Sequence, residues 1–478
     1  MLSACFSTLN IVSYHRLSVL IQVVTVMKLK FVEIDRDTPY LFPPSVQDWL
    51  PEKHLARFVV DIVEQLDLRS IKASYSGRGS HPYPPEMLLA LIFYGYATGV
   101  FSSRKLERGT YDSVAFRYIA ANTHPDHDTI AEFRKRFLPE IAKMFVAILS
   151  IAKEMGVLKL GKVSIDGTKI EANASRHKAL SYGHACKLEE QLEAEVAQLL
   201  SMAEAADKAD IPDGMDIPAE LAIRKKRIEA IKEAKAEIER RAADRHSKEQ
   251  QEYERKVAER TRKEEETGKK PRGKEPKPPT AGPTEKDQVN LTDGESRIMP
   301  GPGGSFKQAY NAQAGVDTES RLIITTHVTQ APNDKQEVDQ ALANISQLPE
   351  DLGTVTDLLA DTGYYSETNV QKCEENGITP YIAVSRQEHH PALMDRFAEP
   401  PPLPADAGAA ETMKHRLKTK EGRAIYAKRK STIETTFGII KAVMGFRKFL
   451  LRGFDSVTHE WDLVCMAFNM KRLFVLAK

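Results

Sequence analysis

The sequence predicts an α/β fold. A mixed five-stranded sheet carries helices on its faces, follows an all-helical N-terminal domain, and is interrupted by a helical insertion. Three observations predict this. Apolar residues between 51 and 157 recur at helical spacing. Residues 186–290 turn abruptly to Ala, Glu, Lys and Arg. Outside that stretch, short β-rich runs from residue 162 onward come first as a hairpin and then alternate with helices, the order of a sheet covered on its faces.

Composition agrees. The 478 residues suffice for two to four domains at ~100–200 residues each. A hydrophobic share of 41% with 28% charged is globular. Lys plus Arg is 68 and Asp plus Glu is 67, a net charge of +1, so a uniformly basic nucleic-acid coat is excluded and only local patches remain. Cys5, Cys186, Cys373 and Cys465 are far apart with no Cys-x-x-Cys pair. That argues against a disulfide framework or a structural zinc site and fits a reducing, cytoplasmic setting.

Leu17 to Met27 is mostly apolar but spans only 11 residues, where a membrane helix needs ~20. Lys28-Leu29-Lys30 follows it instead of a small-residue cleavage site. Residues 1–27 therefore read as a non-native or disordered extension, with Met27 the better start. Residues 28–158 are the helical domain. Pro51 to Leu66 has helical spacing, Pro84-Pro85 opens the next helix, Ser102-Ser103 caps a second and Asp128-Thr129 a third. Arg104, Lys105, Arg134, Lys135 and Arg136 give these short helices basic faces, as in a helix-turn-helix DNA reader.

Residues 159–185 and 291–478 form the sheet domain. Lys162 to Asp166 is a strand ending in an acid. The insertion, 186–290, is a helical hairpin with a disordered Lys/Pro-rich stretch at Lys269 to Lys286. Gln308 to Val316 and Leu322 to Val328 flank a turn as a β-hairpin. Asp334 to Leu348 is a helix, Val355 to Ala360 a strand ending at Asp361, Ser366 caps a helix, Ile378 to Val384 is a strand, and Lys414 to Lys441 is helical and basic.

Three acids stand at telling places. Asp166 lies in Ser-Ile-Asp-Gly-Thr, Asp361 in Leu-Ala-Asp-Thr-Gly-Tyr, and Glu434 in Ser-Thr-Ile-Glu-Thr-Thr-Phe. Taken singly, each is turn chemistry or a surface helix residue. Together they fall where acids on neighbouring strands and a covering helix converge. Like charges so close need a cation. Mg²⁺ suits carboxylate oxygens, and two ions ~3.5–4 Å apart would clamp both oxygens of a phosphodiester displacement. The histidines His81, His124, His127, His389 and His390 read as structural or surface residues.

On these motifs the chain resembles the DDE transposases of bacterial insertion sequences, in the branch with a Tyr-Arg-Glu-Lys signature. The resemblance also draws on LLALIFYGYATGVFSSRKLE and HDTIAEFRKRF in the helical domain and covers about residues 30–475. It implies an RNase H-like core, with Asp166, Asp361 and Glu434 as catalytic metal ligands for two Mg²⁺ ions, Mn²⁺ being an expected substitute. It implies Lys441, Tyr426 and a basic residue before Glu434 as DNA contacts. The family spacing from Arg to Glu is four; Arg429 is five residues before Glu434 and Lys430 is four, so either can fill that place. Residues 413–478 carry a net charge of +10, which suits phosphate backbones.

The expected activity is DNA cleavage at the element's terminal inverted repeats and joining of the 3′ ends to target DNA. The expected partners are double-stranded DNA and a second copy of the chain, with no membrane. Two other readings stand beside it: a metal-dependent nuclease or resolvase, and a DNA-binding relic with an inactive core.

Overall fold

The computed structural model describes residues 45–75, 82–205, 216–268, 270, 273–385, 398–404 and 407–478. The expected start at Met27 and His81, His389 and His390 lie outside the described residues. Val46–Trp49 form a 3₁₀ turn. From Leu50 onward the chain is one compact unit.

The helical part opens with α1 (Leu55–Glu64), whose spaced apolar residues Val59, Ile62 and Val63 go inside. Its first turn is capped by His54, whose Nδ1 accepts from the Ala56 amide at 3.1 Å. After α2 (Arg69–Ala73) comes α3 (Pro85–Thr98). Pro85 fits the first turn because its missing N–H would be unpaired there anyway. Gly99, at φ +84°, ends it. The helix is buried on nearly every side from Leu88 to Ala97. Then follow α4 (Ser103–Asp112), α5 (Val114–Ile119), α6 (His127–Ala142) and α7 (Phe145–Glu154). The cap of α6 is Asp126 rather than the expected Asp128: Asp126 Oδ1 accepts from the Thr129 amide at 2.8 Å. An Asp placed three residues ahead of that amide reaches it, and Asp128 is already inside the first turn.

The sheet is built on β1 (Leu160–Glu171). Two short strands, β2 (Ala179–Ser181) and β3 (Gln288–Asn290), pair antiparallel at the root of the insertion. Its helices are α8 (Tyr182–Ala205) and α9 (Ile217–Thr267). Leu192, Ile231, Ala234 and Ile238 form a small core between them, and Lys235–Glu189 at 2.6 Å and Arg224–Glu195 at 2.7 Å fix an antiparallel register. The Lys/Pro-rich stretch, expected to be disordered, runs back beside α9. Arg260 donates to the Lys274 carbonyl at 3.3 Å and Arg245 grips Asp287 at 2.9 Å. The helix is long enough to offer partners to a chain whose prolines already limit its freedom.

Six strands make the main sheet among the described residues. They are β1, β4 (Arg297–Pro300), β5 (Phe306–Asp317), β6 (Ile323–Thr329), β7 (Gly353–Ala360) and β8 (Thr379–Ile382). β5 runs antiparallel to β1, and β7 and β8 run parallel to it. β4 and β6 share the far edge of β5, along residues 306–309 and 311–316. The sheet is thus the expected five strands across, with a short extra strand that four residues before a glycine run did not announce.

β1 does not stop at Asp166, as expected, but continues five residues further. Ile170 is buried like Ile165, and β5 keeps pairing through Glu171↔Ala309. Where β7 ends, the segment 447–449 takes over that edge: the Glu171 amide donates to Arg447 O and the Phe449 amide to Glu171 O.

Helices α10 (Glu337–Ser346) and α11 (Glu367–Glu375) follow β6 and β7. Then come α12 (Ala409–Lys418), α13 (Lys420–Arg429) and a continuing helical run with π turns at Lys430–Glu434 and Ile439–Val443. Last is α14 (Phe454–Leu476), unexpected from the sequence and buried on nearly all sides. It joins the two parts of the molecule. Trp461 Nε1 donates to the Gln313 carbonyl of β5 at 2.8 Å, and Glu460 accepts from Tyr96 of α3 at 3.1 Å. One hydrophobic core therefore extends from α1 to the sheet. No single helix among the described residues is long and apolar enough to cross a membrane.

Candidate active site

Sheet register brings the first two acids together. Ser164 of β1 lies opposite Leu359 of β7 in parallel pairing. Two residues further, on the same face, Asp166 comes level with Asp361. Asp361 follows the last residue of β7 and caps a 3₁₀ turn, its Oδ1 accepting from the Gly363 amide at 2.7 Å. Burial, and then the neighbouring Asp361 charge, push the Asp166 carboxyl up to about 6, with Arg429 opposing.

Glu434 reaches this face through Arg429. The Arg429 guanidinium contacts Asp166 Oδ2 at 3.2 Å and Glu434 Oε1 at 3.0 Å. This settles which basic residue meets the acids: Lys430 is exposed. The reason is the π turn at Lys430–Glu434. Residues five apart lie on different sides of an ordinary helix of 3.6 residues per turn. A turn closed by i→i+5 bonds returns them to the same side. The extra residue between Arg429 and Glu434 is thereby absorbed without moving either side chain off the site. Tyr426, one turn before Arg429, is half-buried, and burial raises its phenol.

Lys441 also lies beside the site. It donates to the Lys169 carbonyl of β1 at 3.1 Å. Burial, and then the positive charges of Arg447 and Lys169, lower its ammonium, with Asp166 opposing. Three cations thus gather past Asp166, two of which the sequence reading missed. Lys169 carried a signal, since it lies three residues beyond Asp166 on the strand that was expected to stop. Asp334 was missed as well. Its Oδ1 accepts from the amides of Asn311 and Gln313, both at 2.7 Å. Two amide side chains at alternate positions among the alanines in the middle of β5 were the available clue.

The basic residues of the helical part are not brought to the acids. Arg104, Lys105, Lys135 and Arg136 are exposed. Arg136 also donates to Ser74 O at 2.8 Å and lies over the Phe137 ring. Arg134 is buried and donates to Phe101 O at 2.9 Å and Tyr96 Oη at 3.3 Å. It ties α6 to α3, so its expected place on a DNA-facing surface is corrected. Its position between Phe133 and Phe137, on the buried face of the helix, is the reason.

In this conformation no three of the described His, Cys, Asp and Glu side chains stand close enough to share one ion, and the Arg429 guanidinium stands between Glu434 and Asp166. The chemistry of the donors nevertheless fits a hard divalent cation: all are carboxylates. Burial and Asp361 hold the Asp166 carboxyl up even with Arg429 beside it, a like-charge repulsion that a divalent cation would relieve.

A sheet of this order, with acids on its two central parallel strands and a third on a covering helix, defines the RNase H-like class of domain. The matches to known families are narrower. A family model described as Transposase DDE domain matches residues 279–470, and one described as Transposase domain (DUF772) matches residues 44–136. The chain belongs to the DDE transposases of insertion sequences. The first match contains Asp361 and Glu434 but begins after Asp166, which the sheet pairing supplies. No curated protein and no solved structure matches the chain.

Proposed function

We propose that the chain binds the ends of its insertion sequence, cuts the DNA there and joins the freed 3′ ends to target DNA. Asp166, Asp361 and Glu434 would hold two Mg²⁺ ions, for which Mn²⁺ would substitute, and when bound these would supply Lewis acidity to the phosphoryl transfer. The observation that carries this reading is the Arg429 bridge between Asp166 and Glu434, with Asp361 in register beside them. Acids from three separate segments meet on one face, and the group now neutralising two of them is also the best phosphate fork in the chemistry of side chains.

The chain's own residues then divide the work. Arg429 releases the acids and turns to the scissile phosphate's neighbours. Lys441, Lys169 and Arg447 hold the backbone beyond Asp166, and Tyr426 packs beside Arg429. Arg104, Lys105, Lys135 and Arg136 offer charge to the terminal repeats. The α8–α9 arm offers a long surface for the second copy in a synaptic dimer.

The test is to incubate the purified chain with Mg²⁺ and DNA carrying the flanking element ends. Cleaved 3′ ends and joined products are expected. Cleavage without joining would give the nuclease reading, and binding without cleavage the inactive relic.

A further inference from the structure

Gly167 follows Asp166 on β1, past Ser164, the last residue that β7 pairs, so the strand edge is open there and groups from both faces of the sheet can approach. A Cβ there would run into Gln313 Nε2, and would stand 2.5 Å from Asp334 Oδ1 and 2.8 Å from Asn311 Oδ1. The glycine is needed because three polar groups already converge on its place. Asn311 and Gln313 are two residues apart on β5, so both amides lie on one face, and both are buried. Each donates to Asp334 Oδ1 at 2.7 Å, and Lys169 Nζ is 3.5 Å from the same oxygen.

Asp334 Oδ2 takes none of these bonds. It lies 3.8 Å from the position a Gly363 Cβ would occupy, and Asp361 Oδ1 lies 3.0 Å from that same point. The free oxygen of Asp334 and Asp361 Oδ1 are therefore at most 6.8 Å apart, beside Gly363. A second observation stands apart from the acids. Asn311 has no exposed surface, and its Oδ1 has no hydrogen-bond partner. It points into the gap in front of Gly167. A fully buried carbonyl oxygen without a donor calls for an explanation, and an oxygen-seeking cation close by is one that a neighbouring carboxylate shares.

We propose that Asp334 is a fourth carboxylate ligand, supplying Oδ2 to the divalent cation held by Asp166 and Asp361, with the Asn311 and Gln313 amides fixing its other oxygen. This rests on the metal-site reading of Asp166 and Asp361. The amide pair gives Asp334 a single orientation, which is how outer groups set the aim of a ligand. It also explains why two amides sit in the buried middle of β5, where apolar residues would pack at less cost.

The experiment is a Mn²⁺ titration of the full chain without DNA, by calorimetry, with thermal melting in EDTA alongside. Asp334→Asn keeps an oxygen for both amides and removes the charge. Asp334→Glu keeps the charge and lengthens the arm. The expected result is Mn²⁺ affinity reduced roughly 10–100-fold in Asp334→Asn, less reduced in Asp334→Glu, with the Asn variant melting in EDTA as the wild type does. The opposite order, with Asn binding Mn²⁺ like the wild type and Glu losing it together with stability, would make Asp334 a structural residue and overturn the proposal. Asp361→Asn separates the two levels. If it loses Mn²⁺ while Asp334→Asn does not, only the fourth ligand is wrong. If Asp361→Asn binds like the wild type, the metal-site reading itself falls, and the proposal with it.

Discussion

Two stretches of this chain are rich in Lys and Arg, and they dispose of their charge differently. In the helical part, Arg104, Lys105, Lys135 and Arg136 remain at the surface while their neighbour Arg134 goes inside. In residues 413–478, which carry a net +10, many cations are spent within the molecule. Arg429 meets two acids, Arg416 donates to Pro380 O, Arg452 to Asn173 O, Lys471 to Ala97 O and Arg472 to Ser320 O. A basic stretch of sequence is thus not a basic surface of equal strength. Helix ends and strand edges present carbonyls, and long cationic side chains reach them while burying their stems. On the proposed function, DNA affinity from the C-terminal region then depends on the few residues beside the acids.

The largest expected effect breaks the comparison at Arg134. Arg134→Met should leave the buried Phe101 carbonyl and Tyr96 hydroxyl without their donor and remove the cation whose charge acts on buried Glu460, costing about 3–5 kcal/mol in all at roughly 1–3 kcal/mol for each buried group left unpaired. Urea unfolding measures it, and a gel shift at matched folded concentration should be unchanged. Loss of DNA binding with normal stability would put Arg134 back on the surface side.

Asp166 comes next. Its folded carboxyl titrates at about 6, against 3.8 in the unfolded chain. Because the shift is upward, the contribution to stability is complete below the unfolded value and is lost as pH rises through about 6. At 1.36 kcal/mol per unit this is ~3 kcal/mol. Asp166→Asn should therefore be more stable than wild type in EDTA at pH 8 and equal to it near pH 3. Equal stability at both pH values would show that the charge of Asp166 is already neutralised.

Smaller again is the competition at Arg429. Arg429→Ala should raise Mn²⁺ affinity without DNA by about tenfold, ~1.4 kcal/mol, while slowing cleavage. Arg429→Lys should not restore cleavage, because an ammonium lacks the planar fork. Smallest is the salt dependence of DNA binding. Lys441→Met or Arg104→Ala should each lower the slope of affinity against salt by ~1, as for one lost phosphate contact. Arg452→Ala, whose guanidinium is held at the Asn173 carbonyl rather than beside the acids, should leave it unchanged.

Much of this was legible in the sequence, for identifiable reasons. The hairpin of β5 and β6, the strand before Asp361 and the Ser366 cap carry local turn and cap signals. The arm is legible from composition alone. What escaped has no such signature. Helix α14 is buried nearly all round yet mixes Glu460, Asp462 and Asn469 with its apolar residues, so no single apolar stripe marks it. The full length of β1 depends on pairing with β5 and with 447–449, partners far away in the chain. The five-residue gap from Arg429 to Glu434 was visible, but choosing between Arg429 and Lys430 required the π turn. Asp334 enters the site only because β5 presents two amides to it, a contact between segments that neither segment announces.

The proposed chemistry rests on the three acids. Asp166→Asn, Asp361→Asn and Glu434→Gln keep the shape of each side chain and remove its charge. A cleavage assay on labelled element ends in Mg²⁺, run beside a gel shift with the same proteins, reads both functions at once. Each variant should lose cleavage and joining to background while binding the ends as wild type does, since affinity comes from Lys and Arg elsewhere. Near-normal cleavage by any one of the three would contradict the assignment of that residue as a metal ligand and, with it, the triad.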